Sequence, residues 1–374
     1  MKKYLRLILP IIITYGCSHE KAAFNGQKDF EHSISEIQSK HIYSESKDFP
    51  NNTQLSFAII KGGTTKFYGI KRKNDTIFSI DNHDGVFEIG SISKVFTATL
   101  LAHLVVNGQL GLDDNINDYL EWPLKDDIEI SFKQLSNHTS GLPRLPSNLQ
   151  LDSVDLQNPY KDYDENKLKQ YLTKELQLNQ NPGEKSEYSN LGVGLLGYIL
   201  SKIDSTSYEN LLQTKICTKY QMGHTTTNRT RIRGQLIKGL DANGQETPNW
   251  DLNVLVGAGG ILSSVADLSK FAQAQFNGSD QALALTRKPT FNLQENKAAM
   301  GLGWAIEKNI GKEWIMHSGG TGGYRSNILL DISNKNGVII LSNLSAFHKN
   351  NMNIDNLGVR LMETLKNIDS TGHN

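Results

Sequence analysis

A serine followed three residues later by a lysine opens the most apolar stretch of the chain, in Gly90-Ser91-Ile92-Ser93-Lys94. On a helix that begins at Ser91, Lys94 lies one turn on and on the same face. A serine hydroxyl is a weak nucleophile near neutral pH and needs a base beside it. A lysine drawn out of water, or set near another cation, has a lowered pKa and can be that base. The helix N-terminus adds unpaired backbone N–H groups and a positive dipole end where an oxyanion develops. Taken alone, the same residues also describe a helix cap and a solvated lysine.

Two more stretches carry usable chemistry. Tyr188-Ser189-Asn190 sits between Asn181-Pro182-Gly183 and an apolar helical run. A tyrosine near cationic groups can lose a proton and relay it to a leaving group. Asn190 can offer an amide substrate both donor and acceptor. By itself such a tyrosine is more often a half-buried packing residue. The third stretch is His317-Ser318-Gly319-Gly320-Thr321-Gly322-Gly323, a glycine-lined strand edge along which a substrate backbone can lie. A lone histidine is more often structural than catalytic, but its place at the head of this strand shifts the balance.

Order and spacing say more than any one motif. Ser-x-x-Lys, then Tyr-x-Asn, then His-Ser-Gly near the C-terminal strands resembles the class C β-lactamase and DD-peptidase superfamily of serine hydrolases, over about residues 45–365. Ser136-Asn137-His138-Thr139-Ser140-Gly141-Leu142-Pro143 is similar to the family's His-Thr-Ser-Gly-Leu loop. Gly257-Ala258-Gly259-Gly260-Ile261, followed by Ser263 and Ser264, agrees too. The resemblance implies that Ser91 is acylated and that Lys94 and Tyr188 share the proton transfers, with their division open. It implies that Asn190 holds the substrate amide and that the backbone N–H groups of Ser91 and Gly320 form the oxyanion hole. His317 and Ser318, with Gly319 beside them, would face a substrate carboxylate. The family fold is an antiparallel sheet flanked by helices, with a helical subdomain and the site between them.

This chain departs from the class C pattern at one point. Those enzymes usually carry Lys-Thr-Gly where His317-Ser318-Gly319 stands. Lysine is charged at neutral pH and histidine only partly so, which weakens capture of a carboxylate. Histidine here resembles certain DD-carboxypeptidases, D-amino-acid peptidases and esterase-like members. Arg325, on the same expected strand, either supplies the missing charge or ends in a surface ion pair.

The elements that must position these residues are partly legible. Gln54 to Ile60 alternates and ends at Gly62-Gly63, a strand reaching a hairpin, with Thr64 to Arg72 as its partner. Ser93 to Val106 is apolar on nearly every side and short of a membrane span, so it reads as a buried central helix. Further helices are expected at 28–40, 131–137, 164–176, 190–203, 207–216 and 264–276, the last with Ser264 and Asp267 as a capping box. After Met300 the chain reads as strands at Gly301 to Glu307, Glu313 to His317, Gly323 to Asp331 and Gly337 to Ser342, then a closing helix at 352–366. Strands at both ends with helices between imply an α+β fold: an antiparallel sheet built from both termini, with an inserted helical subdomain.

Composition narrows the function classes. Of 374 residues, 38% are hydrophobic and 21% charged, outside the regime of disorder. Lys plus Arg and Asp plus Glu number 39 each, and no basic block exists, so nucleic acid is not an expected partner. Met1-Lys2-Lys3 and Arg6, the short apolar run Leu7 to Ile13 and Gly16-Cys17 describe an export signal over residues 1–16. Cys17 then resembles the lipid-bearing cysteine of bacterial lipoproteins, although Tyr15 is bulky and the usual Leu is missing. The expected layout is a signal, a tether and first helix over 17–44, and a hydrolase domain over 45–366. Such a protein would be exported and held at the membrane by its lipid, in the periplasm or at the outer membrane. Cys217 would be a packed thiol without a disulfide partner.

Other signals are weaker. Gly192-Val193-Gly194-Leu195-Leu196-Gly197 fits a dinucleotide fingerprint, but no apolar strand precedes it, and helix packing is the better account. His138, His224 and His317 lack ligand spacing, so neither metal nor cofactor is expected. Asp113-Asp114 is read as a turn. The expected substrates are amides or esters, D-alanine-containing wall peptides or β-lactams. The alternatives are a binding module that holds its adduct without turnover, and a broad esterase.

Overall fold

The computed structural model describes residues 34–152, 154–294, 297–309 and 312–366. The expected signal at 1–16 and Cys17 lie outside these residues. In β1 (Gln54–Lys61), Leu55, Phe57 and Ile59 bury on one side while Ala58 and Ile60 bury on the other. In β11 (Asn336–Ser342), Val338 and Ile340 join the first group, and Ile339 and Leu341 the second. The period of two serves two covered faces at once, so the central strands are continuous apolar runs.

These two strands join the chain ends. The sheet has nine strands in the order β3 (Thr76–Ser79), β2 (Thr64–Lys73), β1, β11, β10 (Arg325–Asp331), β9 (Lys312–Gly320), β8 (Ala305–Asn309), β7 (Ala298–Met300) and β6 (Phe291–Gln294). Neighbours pair antiparallel throughout. A separate ribbon joins β4 (Phe87–Glu88) to β5 (Leu262–Ser263). Helices Glu36–Ser46 and Asn353–Glu363 cover one face through Ile42, Ile354, Leu357 and Leu361. The central helix, Ser93–Val106, and the helix Val265–Gln275 cover the other, with Phe96 and Phe271 stacked at 4.6 Å. The helical insertion packs beyond them. This is the expected α+β fold.

Local differences have local causes. Of the helix expected over 28–40, residues 28–33 lie outside the described residues; the helix Glu36–Ser46 starts where Ser35 and Gln38 form a reciprocal capping box. The strand expected over Gly301 to Glu307 is broken between β7 and β8. Gly303, at φ +71°, brings its backbone against the central helix, where an added Cβ would meet Lys94 O at 2.8 Å. Ser264 caps its helix by accepting from Asp267 N, but the box is not reciprocal: the Asp267 carboxylate accepts instead from His224 N at 2.6 Å and Thr225 Oγ1 at 2.9 Å.

Other readings are met. Gly197 permits a close approach, since an added Cβ would meet Gly257 Cα at 3.1 Å. Asp114 closes a turn by accepting from Gly111 N at 2.7 Å, and Cys217 is a buried thiol. Among the described residues no helix is long and apolar enough to cross a membrane.

Candidate active site

Ser91 sits in one 3-10 turn, Gly90–Ile92, that runs straight into the central helix. Two glycines let β9 come against this turn. An added Cβ on Gly90, at φ +50°, would meet Gly320 N at 2.5 Å, and one on Gly319 would meet Ile89 O at 2.0 Å. Ser326 Oγ donates to Ile89 O at 2.8 Å and fixes the contact. Ser91 and Gly320 thereby line one cleft.

Lys94 is fully buried one turn on. Its Nζ lies 3.0 Å from Ser91 Oγ and donates to the carbonyl of Ala258 at 2.6 Å. That carbonyl belongs to the glycine-rich turn before β5, which is seated on the central helix. Thr97 Oγ1 donates to Gly257 O at 2.7 Å, and Ser93 Oγ accepts from Ile261 N at 3.1 Å. Burial holds the Lys94 ammonium well below its ordinary value, and the charge of Arg144 adds to the effect. A neutral amine has two N–H donors and one lone pair. Donation to Ala258 O leaves the lone pair free for the serine proton.

The helical insertion supplies the second wall. Ser189 caps the helix Asn190–Ile203 by accepting from Gly192 N at 2.9 Å, and its hydroxyl donates to Pro143 O at 2.7 Å. Ser189 N donates to His138 Nδ1 at 3.2 Å, and the His138 ring lies 4.5 Å from that of Tyr188. His138 holds a left-handed backbone, φ +65°, to reach that place. The His-Thr-Ser-Gly loop is thus the bed on which Tyr188 rests. Lys94 Nζ lies 4.8 Å from the Tyr188 ring centroid, and the phenol hydrogen-bonds Ser91. Burial pushes the phenol up to about 12, against smaller opposing effects of Ser91, Arg144 and Arg325. Tyr188 therefore keeps its proton at neutral pH. Asn190 lines the cleft with Oδ1 unpartnered, while its side chain hydrogen-bonds the Tyr160 phenol.

The strand wall is different in charge. His317 Nδ1 donates to Ser318 O at 2.8 Å, and burial holds its imidazole down to about 4. It is neutral at pH 7, with Nε2 an acceptor. Ser318, Gly319 and Gly320 pair with Asn327, Ser326 and Arg325 across to β10. Arg325 is held by Asp355 of the closing helix: its Nε donates to Oδ2 at 3.1 Å, and a second nitrogen makes a shorter contact. Of the two fates open in the sequence, the structure shows an ion pair, half-buried rather than on the surface.

The cleft at Ser91 is small and is walled by Tyr160, Trp250, Leu252 and Leu255 as well. A larger hollow, about 530 Å³, adjoins it across Trp250, Leu252 and Gly259 but does not contain Ser91. We take the smaller cleft as the site, because it is lined by Ser91, whose hydroxyl Lys94 Nζ reaches at 3.0 Å, and the larger one is not. Glu88 fixes the partition: its Oε1 accepts from Asn249 Nδ2 at 2.7 Å and Trp250 N at 2.9 Å. Among the described residues no His, Cys, Asp and Glu side chains converge as metal ligands.

Residues 53–357 match the family model described as Beta-lactamase. The chain belongs to the beta-lactamase family. A Beta-lactamase of Pseudomonas fluorescens is 27% identical over 262 residues, 67% of this chain and 69% of that protein. Protein flp of Staphylococcus aureus strain COL is 27% identical over 284 residues, 70% of this chain and 53% of flp. The chain thus spans about half the length of flp. Two solved structures share the fold. A beta-lactamase/D-alanine carboxypeptidase from Pseudomonas syringae has TM-score 0.71 and 22% identity, covering 88% of this chain and 99% of that one. The octameric penicillin-binding protein homologue from Pyrococcus abyssi has TM-score 0.72 and 23% identity, covering 88% and 77%.

In this beta-lactamase-family cleft, Ser91, Lys94, Tyr188, Asn190, His317 and Gly320 come together from three remote stretches. Sequence reasoning missed Arg144, whose guanidinium carbon lies 5.0 Å from the Tyr188 ring centroid, and the wall residues Trp250 and Glu88. Arg144 follows the recognised loop directly, which was its one available signal. Trp250 and Glu88 had none, since each looks like an ordinary loop or strand residue.

Proposed function

We propose that this beta-lactamase-family hydrolase works through an acyl-enzyme on Ser91, with amide or ester substrates of the D-alanine wall-peptide type and β-lactams as slow substrates or inhibitors. The observation that carries the reading is a buried amine, Lys94 Nζ, 3.0 Å from the Ser91 hydroxyl. Neutral Lys94 takes the Ser91 proton as Oγ bonds to the substrate carbonyl carbon. The N–H groups of Ser91 and Gly320 receive the developing oxyanion. Tyr188, still protonated, gives its proton to the leaving nitrogen or oxygen as the bond to carbon breaks, and Lys94 returns a proton to the phenolate. Water then attacks the acyl carbon, neutral Lys94 takes its proton, and Ser91 leaves with that proton. Asn190 Oδ1, without a partner, accepts from an amide N–H of the substrate.

Intact mass after exposure to a fluorophosphonate or a penicillin tests this. A single adduct on Ser91, absent in Ser91→Ala, is expected. No adduct on the folded protein contradicts the reading. An adduct from wall peptides that persists for hours, with no product released, favours a binding module instead.

The charged start, short apolar run and Cys17 support export and lipid anchoring, which would bring the hydrolase to wall peptides. Radiolabelled palmitate should enter the wild-type chain and not Cys17→Ser. Equal labelling of both rejects the anchor.

A further inference from the structure

A site that must hold an anionic substrate needs a cation to spare, and the strand wall has none. His317 is neutral, with Nδ1 turned to Ser318 O, and Arg325 is committed to Asp355. Asp355 is committed in turn, since its other oxygen accepts from Asn327 Nδ2 at 2.9 Å. Lys94 is buried and turned to Ala258.

Arg144 differs from all of these. Its backbone is pinned at the start of the helix Asn190–Ile203, where its carbonyl accepts from Asn190 N at 3.0 Å and Leu191 N at 3.2 Å. Its guanidinium carbon lies 5.0 Å from the Tyr188 ring centroid, an aromatic seat that orients the planar group. The side chain is exposed, and among the described residues it makes no ion pair and no hydrogen bond of its own. Its charge bears on Lys94, His138, Tyr160 and Tyr188, of which Tyr160 lines the cleft. An unpaired arginine over the phenol puts a cation near Lys94, which opposes protonation of that amine. A carboxylate delivered by the substrate would complete the set.

We propose that Arg144 is the receptor for a carboxylate on the leaving half of the substrate, in the role that the strand wall does not fill. The inference rests on the acyl-enzyme reading above. Tyr188 meets the leaving atom, so a carboxylate one or two bonds beyond that atom lies over the phenol, where the guanidinium waits. Arginine suits the task because its planar fork gives two parallel hydrogen bonds to a carboxylate. The substrate class is then an acyl compound whose leaving group is an amino or hydroxy acid with a free carboxylate.

The test uses two esters with one acyl group, N-acyl-D-alanine, on a carboxymethyl (glycolate) or a carbamoylmethyl (glycolamide) leaving group, the carboxyl carbon lying two bonds beyond the leaving oxygen. The ratio of their kcat/KM values is measured for the full chain, Arg144→Gln and Arg144→Lys, each at its own optimum pH because Arg144 also bears on Lys94. The wild type should prefer the carboxylate ester by about tenfold or more, weakening with salt. Arg144→Gln should bring the ratio near unity, and Arg144→Lys should keep part of it. A wild type without preference, or a preference unchanged in an Arg144→Gln protein that still acylates Ser91, overturns the assignment while leaving the hydrolase intact. If neither ester turns over and no fluorophosphonate labels Ser91, the hydrolase reading itself falls and takes this one with it.

Discussion

On the strand wall of the cleft, the ring and the charged group turn to protein partners: His317 donates to Ser318 O, and Arg325 is held by Asp355. On the helical wall, Lys94 is sealed from water beside Ser91, and among the described residues Asn190 Oδ1 has no partner and Arg144 no counter-charge. The first arrangement is what stability favours. The second costs stability and leaves unused valences that only a substrate can satisfy. The contrast locates chemistry on the helical side and scaffolding on the strand side, although the family resemblance draws equal attention to both.

Substitutions can break or sharpen this contrast. The largest effect belongs to Ser91→Ala, with turnover falling about 10⁴-fold or more and no adduct by mass. Tyr188→Phe should follow, with a loss of about 10²- to 10³-fold in kcat while penicillin still forms an adduct slowly. The strand wall should respond in stability instead. Asp355→Asn leaves Arg325 without its carboxylate in a half-buried setting and should cost about 2 kcal/mol in urea unfolding, with kcat changed by less than about fivefold. A loss of kcat as large as that of Tyr188→Phe would erase the distinction between the walls.

The last expected effect is in pH. His317 has a folded value of about 4 against an ordinary 6.5. Below 6.5 the unfolded chain takes up a proton that the native chain refuses, so stability declines as pH falls from 6.5 toward 4. His317→Gln should flatten that part of the curve. An identical slope in the variant would show the histidine to be charged in the fold.

How much of this the sequence disclosed depended on periodicity. The central helix and the inner strands were legible because burial on both faces makes long apolar runs. The edge strands were not: Thr76–Ser79 and Phe291–Gln294 are four residues each, too short for a period of two to stand out. Ser91, Lys94, Tyr188 and His317 stood out through motifs, whose order substitutes for geometry. Arg144 and Glu88 act through where the chain carries them, and a single charge in a loop or short strand has no pattern to read. The fate of Arg325 depended on Asp355, thirty positions away on another element, and only the packed fold pairs them.

The central claim is that burial keeps the Lys94 amine uncharged beside Ser91, and the pH profile of Ser91 acylation by a nitrophenyl ester tests it most directly. The account predicts an acid limb well below 10.5, displaced upward in Arg144→Gln. A rate still climbing as pH approaches 10.5, with the same midpoint in both proteins, would mean an ordinary charged lysine and contradict it.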